Sequence, residues 1–129
     1  MIRESNHFVA FTGAGISTAA GIADFRSGAN TVMPTGPGAW EKAANIHKAK
    51  KEGKLTEAMI KNQAKFKVPS SKAKPTRCHM ALVELMRQGR LKHIISQNTD
   101  GLHRKSGVPA ENISEVHGNT NLEICKKCG

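Results

Sequence analysis

The chain has 129 residues, the length of one domain or part of one, with room for a real core but little for a complete two-layer enzyme. Twenty Lys and Arg against ten Asp and Glu give a formal charge of +10, which favours anionic partners such as phosphates, nucleic acid or acidic protein tails. No apolar run approaches the roughly 18 residues of a membrane span, the polar start lacks the apolar core of a secretion signal, and three cysteines argue against a disulfide framework, so an intracellular protein is expected.

In chain order, Phe8 to Phe11 reads as a short strand that meets a glycine turn at Gly13 and Gly15. A short helix from Ser17 to Ile22 follows, with Ser17 or Thr18 placed to cap it. Bare glycine backbone leading to a helix N-terminus suits a nucleotide phosphate, and an ordinary strand-turn-helix link has the same signature. Ser27 to Gly38 holds Gly28, Pro34, Gly36, Pro37 and Gly38, the composition of a mobile loop.

Ala39 to Lys67 predicts one or two surface helices with a weak apolar stripe of Ile46, Leu55, Met59 and Ile60. From Glu41 to Lys74 ten lysines face three glutamates, so +7 of the net charge is local, and Ala64 to Pro75 reads as a linker. A cleaner helix runs from Pro75 to Gln88, burying Met80, Leu82, Val83, Leu85 and Met86 and stopping at Gly89. Cys78 within it reads as a buried or half-buried small residue. His93 to Ser96 is a buried strand, Ile113 to Val116 a further strand, and Thr120 to Cys125 a last one. Strand, helix and strand in this order predict an α/β fold with a Rossmann-like parallel sheet and flanking helices. Ligands of such sheets bind at the carboxyl ends of the strands, where Gly13 and Gln97 fall.

The glycine turn is not a dehydrogenase fingerprint, because Thr18 stands where the third glycine should be and Asp24 follows within ten residues rather than about twenty. No GKS or GKT marks a P-loop. The CxxC of Cys125 and Cys128 reads as half of a zinc knuckle or as a redox pair, since a structural zinc takes four ligands and only two are here. His117 by itself reads as a hydrogen-bonded histidine at a strand end.

Taken together, TGAGIS (12–17), GIADFR (21–26), SQNTDGLH (96–103), HG (117–118) and CKKC (125–128) resemble, in order and spacing, the sirtuins, NAD-dependent protein deacylases. The run from Lys74 is most similar to the nuclear branch that includes human sirtuins six and seven. The likeness covers about Phe8 to Trp40 and Pro75 to Cys128, leaving the lysine-rich segment of about 41–74 as an insertion in the cofactor loop. Ala23 departs from the proline usual in GIPDFR and frees one φ angle.

The resemblance implies that 1–118 is the NAD-binding part of an incomplete catalytic domain and that 119–129 begins a small zinc-binding module. It implies NAD contacts from Gly13, Ala14, Gly15, Thr18, Asp24, Phe25, Arg26, Trp40, Gln97, Asn98 and His117. Asn98 and Asp100 line the nicotinamide pocket in this reading, and His117 accepts a ribose hydroxyl proton, a task suited to a side chain that titrates near neutrality. His103 supports the pocket wall. Cys125 and Cys128 would bind zinc, with the remaining two ligands outside this chain. The implied function is acyl transfer from a protein lysine, on histones or other targets, to ADP-ribose, in the nucleus rather than the cytoplasm. Two readings stay beside it, mono-ADP-ribosyl transfer and a catalytically silent fragment or binding module. The lysines add sequence-independent DNA or chromatin contact.

Overall fold

The computed structural model describes residues 4–33, 35–60 and 72–127. Strand β1 (Phe8–Thr12) is followed by a 3-10 helix (Ala14–Ala20), α1 (Ala39–Lys51), α2 (Arg77–Arg87), β2 (Leu91–Ser96), α3 (Leu102–Lys105), a 3-10 turn (Ala110–Asn112) and β3 (Ile113–Glu115). Residues 57–60 are also helical. The three strands form one parallel sheet in the order β1-β2-β3. Phe8 pairs with Leu91 and Thr12 with Ser96, while Ser96 pairs on its other side with Glu115.

The sheet is parallel because each pair of strands is joined by a helical crossover. The central strand is buried along most of its length. Leu91, Ile94, Val108 and Ile113 form the buried cluster, and Phe8, Ala10, Leu82, Val83, Leu85 and Met86 pack against it. Covering those residues with α2 removes several large side chains from water, each worth about 1.5–3 kcal/mol when fully buried. β1 is an edge among the described residues, and its outward face leaves Val9 and Phe11 exposed.

Helix α2 starts where a capping box closes on Thr76. Its hydroxyl accepts from the His79 amide, and the Thr76 amide donates to His79 Nδ1. The helix ends as the amides of Gly89 and Arg90 turn back to the carbonyls of Met86 and Leu85. Its bounds are a little inside those expected. Met80 is half exposed rather than buried, and Cys78 is exposed, because both point away from the sheet.

Three other expectations are corrected. The helix after the glycine turn is 3-10 and begins at Ala14, so neither Ser17 nor Thr18 caps it. Ser17 is buried and bonded elsewhere, and Thr18 donates to the carbonyl of Gly15. Seven residues is long for this helix type, whose runs usually stop at three or four. It ends at Gly21, whose φ of 83° is a value that glycine takes without a Cβ penalty. Residues Thr120 to Cys125 form turns and extended chain rather than a strand, held by bonds from Thr120 to the Thr99 carbonyl. The stripe on the lysine-rich segment is weaker than expected, since Met59 and Ile60 are exposed; much of the expected linker, and the end of the helix predicted to Lys67, lie outside the described residues.

Candidate functional site

At the carboxyl ends of β1 and β2 lies a cavity of about 600 Å³ lined by Ala14, Gly15, Asp24, Phe25, Arg26, Trp40, Gln97, Asn98 and His117. These are nine of the eleven residues proposed for the cofactor. The other two are not among its lining residues. Gly13 offers its carbonyl to Asn98, and Thr18 turns its hydroxyl into its own helix.

The floor is a polar network. Ser17 donates its hydroxyl to Asp100 Oδ2 at 2.6 Å, and the Leu102 amide donates to Oδ1 of the same carboxylate at 2.9 Å. Asn98 Nδ2 donates to the Gly13 carbonyl at 3.0 Å and reaches Ser17 Oγ at 3.3 Å. Ser17, Asn98 and Asp100 are all buried. Asp100 is therefore beneath the cavity wall rather than in it, a place that fits a residue holding others. A buried carboxylate needs such donors, because leaving it unpaired costs several kcal/mol.

The outer wall is an aromatic lid. Phe25 and Trp40 have ring centroids 6.2 Å apart at an interplanar angle of 50°, and the Arg26 guanidinium lies 5.4 Å from the centre of the Trp40 ring. The loop expected to be mobile folds back on itself. Gly38 and Ala39 donate to the carbonyls of Ser27 and Asp24, Trp40 donates to that of Phe25, and Ser27 Oγ donates to Asp24 Oδ2 at 2.6 Å. A Cβ at Gly38 would lie 2.6 Å from the Phe25 carbonyl carbon and 2.8 Å from the Arg26 amide nitrogen, so only glycine permits this approach.

His117 closes the site on the third side. It is exposed, and its Nδ1 lies 2.9 Å from the Gln97 carbonyl. A carbonyl can only accept, so Nδ1 carries the proton and Nε2 is the bare nitrogen. The strand ends that place the pair are themselves tied together, by Gln97 N–H to the Thr12 carbonyl and Val116 N–H to the Ser96 carbonyl.

Residues 13–129 match the Sir2 family. The chain belongs to it. Among curated Sir2 relatives, the NAD-dependent protein deacetylase SRT1 of Arabidopsis thaliana is 45% identical over all of this chain and 23% of its own length. Sirt6 of Drosophila melanogaster is 41% identical over 99% of this chain and 33% of its own, and human sirtuin-7 is 37% identical over 98% and 26%. The chain thus spans a quarter to a third of these relatives. A solved Sir2 with a p53 peptide and NAD+ matches at TM-score 0.62 and 30% identity, covering 98% of this chain and 47% of that one. A Sir2 bound to acetylated peptide matches at TM-score 0.60 and 28% identity, covering 98% and 46%.

Metal binding is carried by less of the structure. Cys128 lies outside the described residues, and no group of three or more His, Cys, Asp or Glu able to hold a metal occurs among the described ones. Cys125 accepts the Lys127 amide on its sulfur at 3.4 Å, which closes a tight turn over the first cysteine of the CxxC. Among the described residues, no helix is long and apolar enough to cross a membrane.

Three residues were harder to read. Ser17 was expected as a cap, yet it is the link between Asn98 and Asp100. His79 and His103 are fully or almost fully buried, with rings 4.8 Å apart. Burial holds His79 well below its usual range, at about 4, with the charge of His103 adding to the lowering and Asp100 opposing it. Burial also lowers His103, against Asp100 and Glu115. Burial thus disfavours the charged form of both rings.

Proposed function

We propose that this protein is an NAD-dependent protein-lysine deacylase and that the cavity at the strand ends is its NAD site. The observation that carries this reading is His117, whose Nδ1 is committed to the Gln97 carbonyl so that Nε2 is free to take a proton at the cavity. NAD+, when bound, supplies a nicotinamide–ribose bond whose cleavage opens the ribose to the acyl-lysine oxygen.

His117 is the general base, taking a ribose hydroxyl proton as the acyl group moves. The backbone of Gly13, Ala14 and Gly15 with Thr18 receives the diphosphate side, where a missing side chain permits close approach. Asp24, Phe25, Arg26 and Trp40 cover the nicotinamide ribose and exclude water, Gln97 holds the ribose, and Asn98 with Asp100 shapes the nicotinamide pocket. Cys125 and Cys128 belong to a zinc module that starts near residue 119.

The substrate is an acylated lysine on a protein, with histones the class that best complements a nuclear setting. The lysines of α1 and its surroundings add salt-sensitive contact with nucleic acid. Incubation with NAD+ and an acetyl-lysine peptide should release nicotinamide and the free lysine, and His117→Ala should abolish lysine deacylation. Equal rates for wild type and His117→Ala would remove His117 as the base. Transfer of ADP-ribose to protein in place of deacylation would favour the alternative transferase reading.

A further inference from the structure

The turn that carries His117 is closed by a carboxylate. Strand β3 ends at Glu115, and the amide of Gly118, a residue at φ 75°, donates back to the Glu115 carbonyl at 3.0 Å, so His117 is the third residue of a four-residue turn. The Glu115 side chain is 8% exposed, and each of its carboxylate oxygens has a donor. Arg104 Nε, on α3, donates to Oε2 at 2.7 Å, and Asn119 Nδ2 donates to Oε1 at 2.7 Å. Glu115 and Asn119 are thus tied together across His117, and the tie is anchored on a helix. A carboxylate this deeply placed holds its donors firmly, because losing one leaves charge that nothing compensates.

The Asn119 arm is braced in turn. Asn119 Oδ1 accepts the Asn121 amide at 2.9 Å, and Asn121 Nδ2 donates to the Asp100 carbonyl at 2.7 Å. Gly101, at φ 70° just before α3, makes room for both asparagines: a Cβ there would stand 2.7 Å from Asn121 Nδ2 and 3.1 Å from Asn119 Oδ1. The contacts therefore close on themselves, from Glu115 through Arg104 and α3 to Gly101 and Asp100, and back through Asn121 and Asn119. His117 is itself exposed, so its ring is placed by the turn rather than by packing. We propose that Glu115 is a positioning residue for His117, its carboxylate clamped between Arg104 and Asn119 so that the turn delivers Nδ1–H to the Gln97 carbonyl and Nε2 to the cavity. Neither Arg104, Glu115 nor Asn119 is a lining residue, so the clamp acts through the backbone of the turn. Its service to catalysis rests on the functional reading above, whereas the clamp itself does not.

Long-range proton–nitrogen correlation spectra of the uniformly labelled chain, recorded where the imidazole is neutral, read the His117 tautomer without any cofactor. The wild-type ring should carry its proton on Nδ1, and a ring protonated on Nε2 overturns the proposal. Asn119→Ala removes one arm of the clamp and leaves the Arg104–Glu115 pair. His117 should then move to the Nε2-protonated form that an unrestrained histidine favours, while the Val116 amide, bonded to the Ser96 carbonyl, stays protected from exchange. An unchanged tautomer, or lost protection at Val116, overturns the proposal. Exchanging the partners, Glu115→Gln with Asn119→Asp, gives an amide at 115 that donates to a carboxylate at 119 and still accepts from Arg104. This double variant should restore the Nδ1-protonated ring, which Asn119→Asp alone should not, and failure to restore it overturns the proposal. If the alanine variant does not fold, these two variants carry the test. In deacylation of an acetyl-lysine peptide, Asn119→Ala should lower kcat roughly tenfold with little change in KM for NAD+. The tautomer change without that loss would uphold the clamp and remove His117 as the base.

Discussion

Ser17 and Asp100, 83 positions apart in sequence, are joined by a 2.6 Å hydrogen bond beneath the cavity floor. The bond fastens the 3-10 helix after β1 to the segment after β2, and Asn98 reaches the same hydroxyl from the side. Ser17→Ala removes a donor from a buried carboxylate. We expect a loss of about 1.5–3 kcal/mol in stability, measured by denaturant unfolding, together with weaker NAD+ binding. Unchanged stability would show that Asp100 needs only the Leu102 amide.

Gly38 is a position where a methyl group has no room. Gly38→Ala should push the lid chain off the backbone of Phe25 and Arg26 at a cost of about 1–3 kcal/mol. The expected result is a lower melting temperature and weaker NAD+ binding, with the protein still folded. A variant with wild-type affinity would mean that the lid is not held by this contact.

Trp40 is the sole tryptophan of the chain and shares a face with Arg26 and Phe25. Its fluorescence should therefore change when NAD+ enters. Trp40→Ala removes a cation–π contact and an aromatic pair, together about 1–2 kcal/mol, so affinity should fall roughly tenfold. A flat fluorescence titration at concentrations that saturate the protein would separate the lid from the cofactor.

Stability should fall on acidification between about pH 6.5 and pH 4. His79 is held down to about 4 in the folded state and returns to its usual 6.5 on unfolding, so in that window the unfolded chain binds more protons. The contribution is complete above pH 6.5 and is lost as pH falls toward 4, with His103 displaced in the same direction. One such group gives a slope of at most about 1.4 kcal/mol per pH unit. In His79→Asn the slope should shrink, and an unchanged slope would assign it to other groups.

The fold was legible where patterns are local. Apolar runs at Phe8–Phe11 and His93–Ser96, with an amphipathic helix between them, suffice for a parallel pair, and the glycine turn and Gln97 mark its ligand end. Motif order brought most of the lining residues together because they sit at strand ends and in the loop between them. What escaped depends on partners far along the chain. Ser17 reads as a cap from its neighbours, and only the fold brings Asp100 to it. His79 looks like one more polar helix residue until its burial and its place at the third position of a capping box are seen. Cys78 was expected inside, but whether a small residue on α2 is buried depends on helix phase, and its phase points outward.

The pairing of β1 with β2 joins residues about 80 positions apart, whereas α2, β2 and β3 are near neighbours in the chain. Closing so long a loop is entropically slow and gains nothing until the β2 edge exists to receive it. We therefore expect α2, β2 and β3 to form the folding nucleus and β1 to dock late. Ile94→Val on the central strand should slow refolding, while Ala10→Gly on β1 should mainly speed unfolding. The glycine segment would then be assembled last, and the reverse pattern of rates would place β1 in the nucleus instead.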